Sequence, residues 1–155
     1  MGRCFKSAEA IPSVGEAWAL RAPRIYYLYP QNVGGLPGWS RHIAQAARES
    51  AKRVGFVASG SVSHKLVRGP EKGPKPEDEE LDHRLAKMLA AGECRQAWEW
   101  LPEFARDAQP EMGGRHLAMM LGAVLESKQR FTAAVHAYGP SSGSGNYVIS
   151  LTAEG

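Results

Sequence analysis

The chain has 155 residues, 43% of them hydrophobic, which is the size of one ordinary domain with one core. Its formal net charge of +3 arises from 19 Lys and Arg residues interleaved with 16 Asp and Glu residues, so no basic stripe for nucleic acid is present. The longest strongly apolar stretch, 117–125, is too short to span a bilayer, and the N-terminal residues form no apolar secretory core.

The two cysteines, Cys4 and Cys94, lie far apart and have no CxxC or other metal-type spacing. Cysteines in this arrangement are expected to be free thiols in a reducing compartment. The expectation is therefore a cytoplasmic protein without a membrane anchor.

Residues 1–39 form an N-terminal segment in which only one element is predicted. This element is a strand at 24–29, where the run RIYYLY is aromatic and β-branched. Ser40 is predicted to cap a helix over about 40–53, because the segment is rich in alanine and lacks internal Gly and Pro. The next run, VGFVAS at 54–59, is predicted to be a buried strand.

A long loop of small and polar residues, rich in Gly and Pro, follows this strand and has the character of a functional loop. Pro76 and the acidic residues after it predict a helix start, and this acidic run is interpreted as a cap and not as a metal site. Gly92 is expected to end that helix after about Ala91. A second helix is predicted at 94–107, with Pro102 as a possible break.

The last third of the chain predicts a buried helix and two strands. Apolar residues at the i, i+3, i+4 spacing indicate the helix over 112–125. Strands are predicted at 132–138 and 146–151, joined by the flexible turn PSSGSG. Helices and strands thus alternate, and the fold class expected is α/β, with a mixed sheet flanked by helices.

His64 is the strongest local candidate for catalysis. It follows the predicted strand at 54–59, in a loop of glycine and serine, and open α/β sheets bind their ligands at such strand ends. A surface histidine would occupy the same position, so position alone does not decide. A serine hydrolase using Ser61 or Ser63 is less favoured, since neither serine is the centre of a G-x-S-x-G motif.

A zinc protease is not indicated, because H-E-x-x-H is absent and the histidines at 42, 64, 83, 116 and 136 are dispersed. Glu111 is a second candidate. A glutamate after Pro110 suits a helix N-terminus without any metal. However, Gly113 and Gly114 lower helix propensity in that turn, which suggests that something approaches the backbone there.

Three motifs in order resemble the class III extradiol ring-cleavage dioxygenases. They are VASGSVSHKL at 57–66, PEDEELDHRL at 76–85 and PEMGGRHLAMMLGA at 110–123. The similarity is to the catalytic β-subunit typified by protocatechuate 4,5-dioxygenase, and it covers about 40–151. It implies that residues 40–155 are the C-terminal portion of that subunit's domain, a partial copy of its fold.

The resemblance also implies a chemistry. Family members hold ferrous iron, Fe(II), with two histidines and one glutamate, and they open a catechol-like aromatic ring with dioxygen. This ligand set leaves iron positions free for substrate and oxygen. By motif, His64 resembles the acid-base histidine and Glu111 the iron-binding glutamate, and their separation is about that found in the family. Histidine suits proton transfer because its ordinary pKa lies near neutrality.

One departure limits the resemblance. The two iron-binding histidines of the family lie in its N-terminal half and have no counterpart here, so the chain resembles a truncated gene product. A single carboxylate holds ferrous iron poorly. Two hypotheses therefore stand beside each other, an extradiol dioxygenase domain and an inert fold remnant that acts as a binding or subunit-interaction module. An open sheet edge would favour an oligomer or a partner subunit.

Overall fold

The computed structural model describes residues 36–50 and 53–154, which contain four α-helices and a two-stranded antiparallel sheet. The elements in chain order are α1 (Leu36–Glu49), α2 (Pro76–Ala90), α3 (Cys94–Asp107), a 3-10 turn (Glu111–Gly114), α4 (Arg115–Ser127), β1 (Phe131–Tyr138) and β2 (Tyr147–Ala153). Helices and strands together confirm the α/β composition. The sheet of the described part is an antiparallel pair, however, and not the mixed sheet expected. The predicted strand at 24–29 and Cys4 lie outside the described residues.

Helix α1 differs from its prediction at both ends. Ser40 lies one turn inside the helix and does not cap it, and the helix ends at Glu49. Ser40 is buried against α4, where a Cβ added to Gly122 would overlap the serine side chain. The absence of a side chain at Gly122 therefore lets α1 pack closely on α4.

Helix α2 follows its prediction. It begins at Pro76, carries acidic residues in its first turn, and ends at Ala90, two residues before Gly92, whose φ is +76°. Helix α3 spans the residues predicted for it and runs through Pro102 without the break considered possible there. The buried side chains of Leu101 and Phe104 hold that turn in the core, and this burial offsets the hydrogen bond that proline cannot donate.

The core lies among α2, α3 and α4. Its most buried large apolar residues are Leu85, Leu89, Leu101, Phe104, Leu117 and Leu121. Burial of each such side chain contributes about 1.5–3 kcal/mol relative to exposure. Val62 joins this cluster from the loop before α2, which connects that loop to the core.

The prediction of a buried strand at 54–59 is wrong. The segment has no strand hydrogen bonding in the described part of the chain, and Val54 and Val57 are 55% and 87% exposed. An extended segment becomes a strand only where a neighbour accepts and donates its backbone hydrogen bonds, and no described residue does so here. Short apolar runs do not reveal this, because their composition is the same with or without a partner strand.

The two predicted strands at the end of the chain are confirmed to within two residues, as the hairpin β1–β2. The pairing runs from Phe131 opposite Ala153 to Tyr138 opposite Tyr147, with a bulge at His136. None of the helices in the described residues is long and apolar enough to cross a membrane.

Candidate functional site

A cavity of about 330 Å³ opens beside the loop that precedes His64. Its walls come from three parts of the chain. They are formed by Val57, Ala58, Ser59, Gly60, Ser61, Glu111, Asn146 and Tyr147. The volume lies at the lower end of the range for small-molecule sites. Glu111 is the one carboxylate among these lining residues.

The backbone after Glu111 is unusual. Met112, Gly113 and Gly114 all have positive φ, at 53°, 65° and 74°, before α4 begins at Arg115. Glycine adopts this conformation without the steric penalty that other residues incur, so the two glycines serve the turn. The close approach expected at the two glycines is found at Gly114, where an added Cβ would lie 3.1 Å from Pro110 Cγ, and not at Gly113, which has no neighbouring atom within 4 Å.

Glu111 and Ser61 are joined by two hydrogen bonds. The Ser61 N–H donates to Glu111 Oε2 at 3.0 Å, and the Glu111 N–H donates to the Ser61 carbonyl oxygen at 3.2 Å. The other carboxylate oxygen, Oε1, has no hydrogen-bond partner among the described residues. This leaves Glu111 fixed by one oxygen, with the second available to a ligand.

His64 lies in a paired segment and not in a free surface loop. It forms an isolated antiparallel bridge with Ser144, and its Nδ1 lies 3.0 Å from Ser144 Oγ. The Val62 N–H donates to the Gly145 carbonyl oxygen at 2.8 Å, and the Gly145 N–H donates to the Ser63 carbonyl oxygen at 3.1 Å. The PSSGSG segment, predicted to be a flexible turn, is therefore packed and hydrogen-bonded at its end.

The structure places His64 and Glu111 near one peptide segment but not on one cavity wall. Glu111 binds Ser61, three residues before His64, whereas His64 is not among the cavity-lining residues. No hydrogen bond joins the two side chains in the described part of the chain. Their joint action remains a prediction.

A buried carboxylate, missed by the sequence reasoning, lies beneath this segment. Asp82 on α2 is 0% exposed, and its Oδ2 accepts hydrogen bonds from Ser63 Oγ at 2.7 Å and from the Tyr138 hydroxyl at 3.2 Å. Burial raises the pKa of Asp82 to about 6, although both hydrogen bonds act in the opposite direction. The spacing of 78, 82, 85 and 89 on one helix face, which ends in two core leucines, is the signal that could have revealed it.

Two further pairs surround this carboxylate. Asp78, one turn earlier and 1% exposed, forms an ion pair with Lys65 at 2.6 Å. His83 Nδ1 is hydrogen-bonded to the hydroxyl of Tyr147, which lines the cavity. These contacts fasten the segment after His64 and the start of β2 to the same helix.

His116 is the second polar side chain that the sequence reasoning did not single out. It is 8% exposed, and within the described residues neither ring nitrogen forms a hydrogen bond of normal geometry, although Glu111 lies close enough to act on the pKa of the ring. Its ring lies against Gly60, where an added Cβ would be 2.7 Å from Cε1. Burial lowers the pKa of His116, so the neutral ring is favoured at this wall of the cavity.

The geometry argues against a serine hydrolase. Ser61 Oγ donates to Asn146 Oδ1 at 2.9 Å, and Ser63 Oγ donates to Asp82. Neither hydroxyl contacts a histidine, which a serine nucleophile needs as its base.

The described residues do not form a complete set of ligands for iron. Among the described residues, no three His, Cys, Asp or Glu side chains are grouped so that they could hold a metal ion. The sequence contains no histidine before His42. Glu111 fits the carboxylate position of a two-histidine, one-carboxylate site, but the histidine positions are not filled by the residues around it.

The comparison with protein families agrees with the motifs. The family model described as the catalytic LigB subunit of aromatic ring-opening dioxygenase matches residues 41–149, which is more than half of the chain. The match includes the segments that carry His64, Asp82 and Glu111.

Proposed function

The chain belongs to the LigB family of catalytic subunits of aromatic ring-opening dioxygenases, and we propose that it supplies the C-terminal portion of an extradiol dioxygenase site. The substrate class is a catechol-like aromatic ring, opened with dioxygen at ferrous iron. The observation that carries the proposal is the position of Glu111. It lies on the wall of the cavity and is hydrogen-bonded to Ser61, three residues before His64. A cytoplasmic location fits this chemistry.

Glu111 is proposed as the carboxylate ligand. Its Oε2 is held by the Ser61 N–H, while Oε1 has no partner among the described residues. This backbone donor orients the carboxylate, as hydrogen bonds from neighbouring groups generally orient metal ligands. Iron bound at this position would supply adjacent coordination places for substrate and dioxygen.

His64 is proposed as the acid-base residue. Its Nδ1 is within hydrogen-bond distance of Ser144 Oγ. A serine hydroxyl either donates or accepts, so it supports both neutral tautomers of the ring. In the tautomer whose Nδ1–H donates to Ser144 Oγ, Nε2 is unprotonated and is the atom that takes a proton from a substrate hydroxyl and later returns it.

An iron site of this family needs two histidine ligands besides Glu111. Because the residues around Glu111 do not complete a set of three ligands, we propose that the two histidines come from a partner subunit or another polypeptide segment. The exposed apolar residues at Val54 and Val57 are suited to such an association.

Oxygen uptake tests the function. The chain alone, and the chain joined to an N-terminal half of a family member with both histidines, are supplied with Fe(II) and with protocatechuate or gallate. The joined protein should consume oxygen and form the ring-opened product. His64→Ala should lower kcat about 10²- to 10⁴-fold, as expected for loss of a general acid-base group.

A matched control keeps this test specific. His136 lies on the exposed bulge of the hairpin, so His136→Ala should leave the rate unchanged. Glu111→Ala should abolish turnover and weaken iron binding. Absence of ring opening by the joined protein would refute the proposal, and a fully active His64→Ala variant would refute the role of that histidine.

The alternative function is that of a subunit-interaction module without catalysis. It is favoured by the absence of a group of three metal-binding side chains in the described residues. Iron titration of the chain alone distinguishes the two functions. Tight stoichiometric binding counts against the module, whereas no binding by the chain, alone or joined, counts in its favour.

A further inference from the structure

We propose that Asp82 is a positioning residue for His64, acting through the hydroxyl of Ser63 to hold the His64 segment in register with Ser144 and Gly145. This inference rests on the proposed acid-base role of His64. Neither the motifs nor the family match assigns Asp82 a task, and its side chain does not line the cavity.

The Ser63 hydroxyl has a fixed hydrogen-bond direction. Ser63 is fully buried, and its Oγ donates its one proton to Asp82 Oδ2 at 2.7 Å. The oxygen is then left as an acceptor, and the Gly145 N–H donates to it at 3.0 Å. A carboxylate accepts hydrogen bonds and donates none, so Asp82 fixes the direction of this relay.

Hydrogen bonds also align the segment 62–64 with the segment 144–145. The Gly145 N–H also donates to the Ser63 carbonyl oxygen, and the Val62 N–H donates to the Gly145 carbonyl oxygen. These bonds place Ser144 opposite His64, where its hydroxyl meets Nδ1 at 3.0 Å. An error in this register would move the hydroxyl away from the imidazole.

The Asp82 carboxylate packs closely against Gly145. An added Cβ at Gly145 would overlap Asp82 Oδ2 and would lie 2.8 Å from the Tyr138 hydroxyl. Tyr138 also donates to Oδ2, so β1 is tied to the same oxygen. The carboxylate is thus in contact with Ser63 and Gly145, one from each paired segment, and with Tyr138 of the hairpin.

Burying the Asp82 carboxylate is unfavourable, so close packing alone is no reason for a carboxylate at this position. Burial disfavours its charged form, as the raised pKa reflects, and its Oδ1 has no partner in the described part of the chain. An apolar residue on this face of α2, like Leu85 and Leu89, would avoid that penalty. What the carboxylate provides instead is an acceptor that fixes the positions of Ser63 and Gly145.

The test uses nuclear magnetic resonance on the full chain labelled with ¹⁵N, with the His64 signal assigned from His64→Gln. Asp82→Ala and Ser63→Ala should each abolish the hydrogen-bonded chemical shift of His64 Nδ1. They should also accelerate hydrogen exchange of the Gly145 amide roughly 10- to 100-fold, as expected for losing a buried hydrogen bond. Asp82→Asn should preserve both signals, because its amide oxygen still accepts both hydroxyl protons.

A control separates positioning from general stability. Leu89 is a core residue two turns further along α2, so Leu89→Ala should lower the free energy of unfolding without moving the His64 Nδ1 shift. An unchanged His64 shift in Ser63→Ala or in folded Asp82→Ala would overturn the inference. An equal change in Leu89→Ala would also overturn it. Because these readouts need no turnover, a failure to open the ring would refute the proposed function and not this inference.

Discussion

The backbone of Gly145 lies against the carboxylate of Asp82 so closely that no side chain fits between them. Glycine is needed here for space, because its φ is not in the left-handed region. The contact joins the segment after β1 to α2, at the point where Ser63 and Tyr138 also donate to Asp82. Gly145 directly follows Ser144, which pairs with His64, so changes at residue 145 should also affect His64.

We therefore expect Gly145→Ala to destabilise the domain by about 1–3 kcal/mol, as overpacking of a tight site does. Urea unfolding followed by tryptophan fluorescence measures this change. Gly139→Ala is the matched control, because an added Cβ there has no neighbour within 4 Å. Equal unfolding midpoints for the two variants would contradict the close contact at Gly145.

The pH dependence of stability should reveal Asp82. Its pKa is about 6 in the folded chain against an ordinary value of 3.8, so between these values the folded chain binds the proton more tightly than the unfolded chain. The contribution of Asp82 to stability therefore falls as the pH rises from about 4 to 6, by up to about 3 kcal/mol. Other groups titrate over the same range, so the comparison must be with Asp82→Asn.

Urea unfolding of both proteins at several pH values between 4 and 7 makes that comparison. The free energy of unfolding of wild type, minus that of Asp82→Asn, should decrease as the pH rises through about 6 and level off once Asp82 is deprotonated in the folded chain. Asn has no charge to lose or gain, while it keeps the acceptor oxygen. Parallel pH profiles for the two proteins would show that the pKa of Asp82 is not raised.

Glu111 should contribute to stability through Ser61, apart from any metal. Glu111→Ala removes the acceptor of the Ser61 N–H, and Ser61 is only 8% exposed, so the loss should be about 1–3 kcal/mol. Glu111→Gln keeps an acceptor oxygen and should recover most of that stability. Iron binding by the joined protein should nevertheless remain weak in Glu111→Gln. Equal stability of all three proteins would contradict the hydrogen bond.

The sequence predicted those elements whose boundaries depend on local chemistry. Pro76 and Gly92 set the limits of α2, and β-branched and aromatic residues revealed the hairpin. It failed where the outcome depends on a distant neighbour. The segment 54–59 has strand composition but no partner in the described residues, and Ser40 has capping chemistry but is buried against Gly122.

In the candidate site, too, the residues could be predicted from the sequence but their distant contacts could not. His64 and Glu111 were found through motifs, which report residue type and spacing, and their roles remain predictions. The contacts around His64 could not be predicted from the sequence, because Ser63 with Asp82 and His64 with Ser144 are pairs far apart in the chain. Asp82 lies just after the acidic run 77–80, which suits a solvated helix start, and was not distinguished from it. Its spacing from Leu85 and Leu89 carried the missing information.

The wall of the cavity formed by Gly60 should depend on His116. A Cβ at residue 60 would lie 2.7–2.9 Å from three atoms of the His116 ring, so Gly60→Ala should destabilise the domain by about 1–3 kcal/mol. In a His116→Ala background the ring is absent, and the same substitution should cost less. A double-mutant cycle measured by urea unfolding gives this coupling, expected within about 0.5–3 kcal/mol for residues in contact.

Gly55→Ala provides the control for this cycle, because an added Cβ at Gly55 has no neighbour within 4 Å. Its effect should be small and the same in both backgrounds. If Gly60→Ala costs equally with and without the His116 ring, the imidazole does not limit the space at residue 60. If the coupling is found, the His116 ring limits the space at residue 60, and it packs against the part of the loop that lines the cavity beside Glu111.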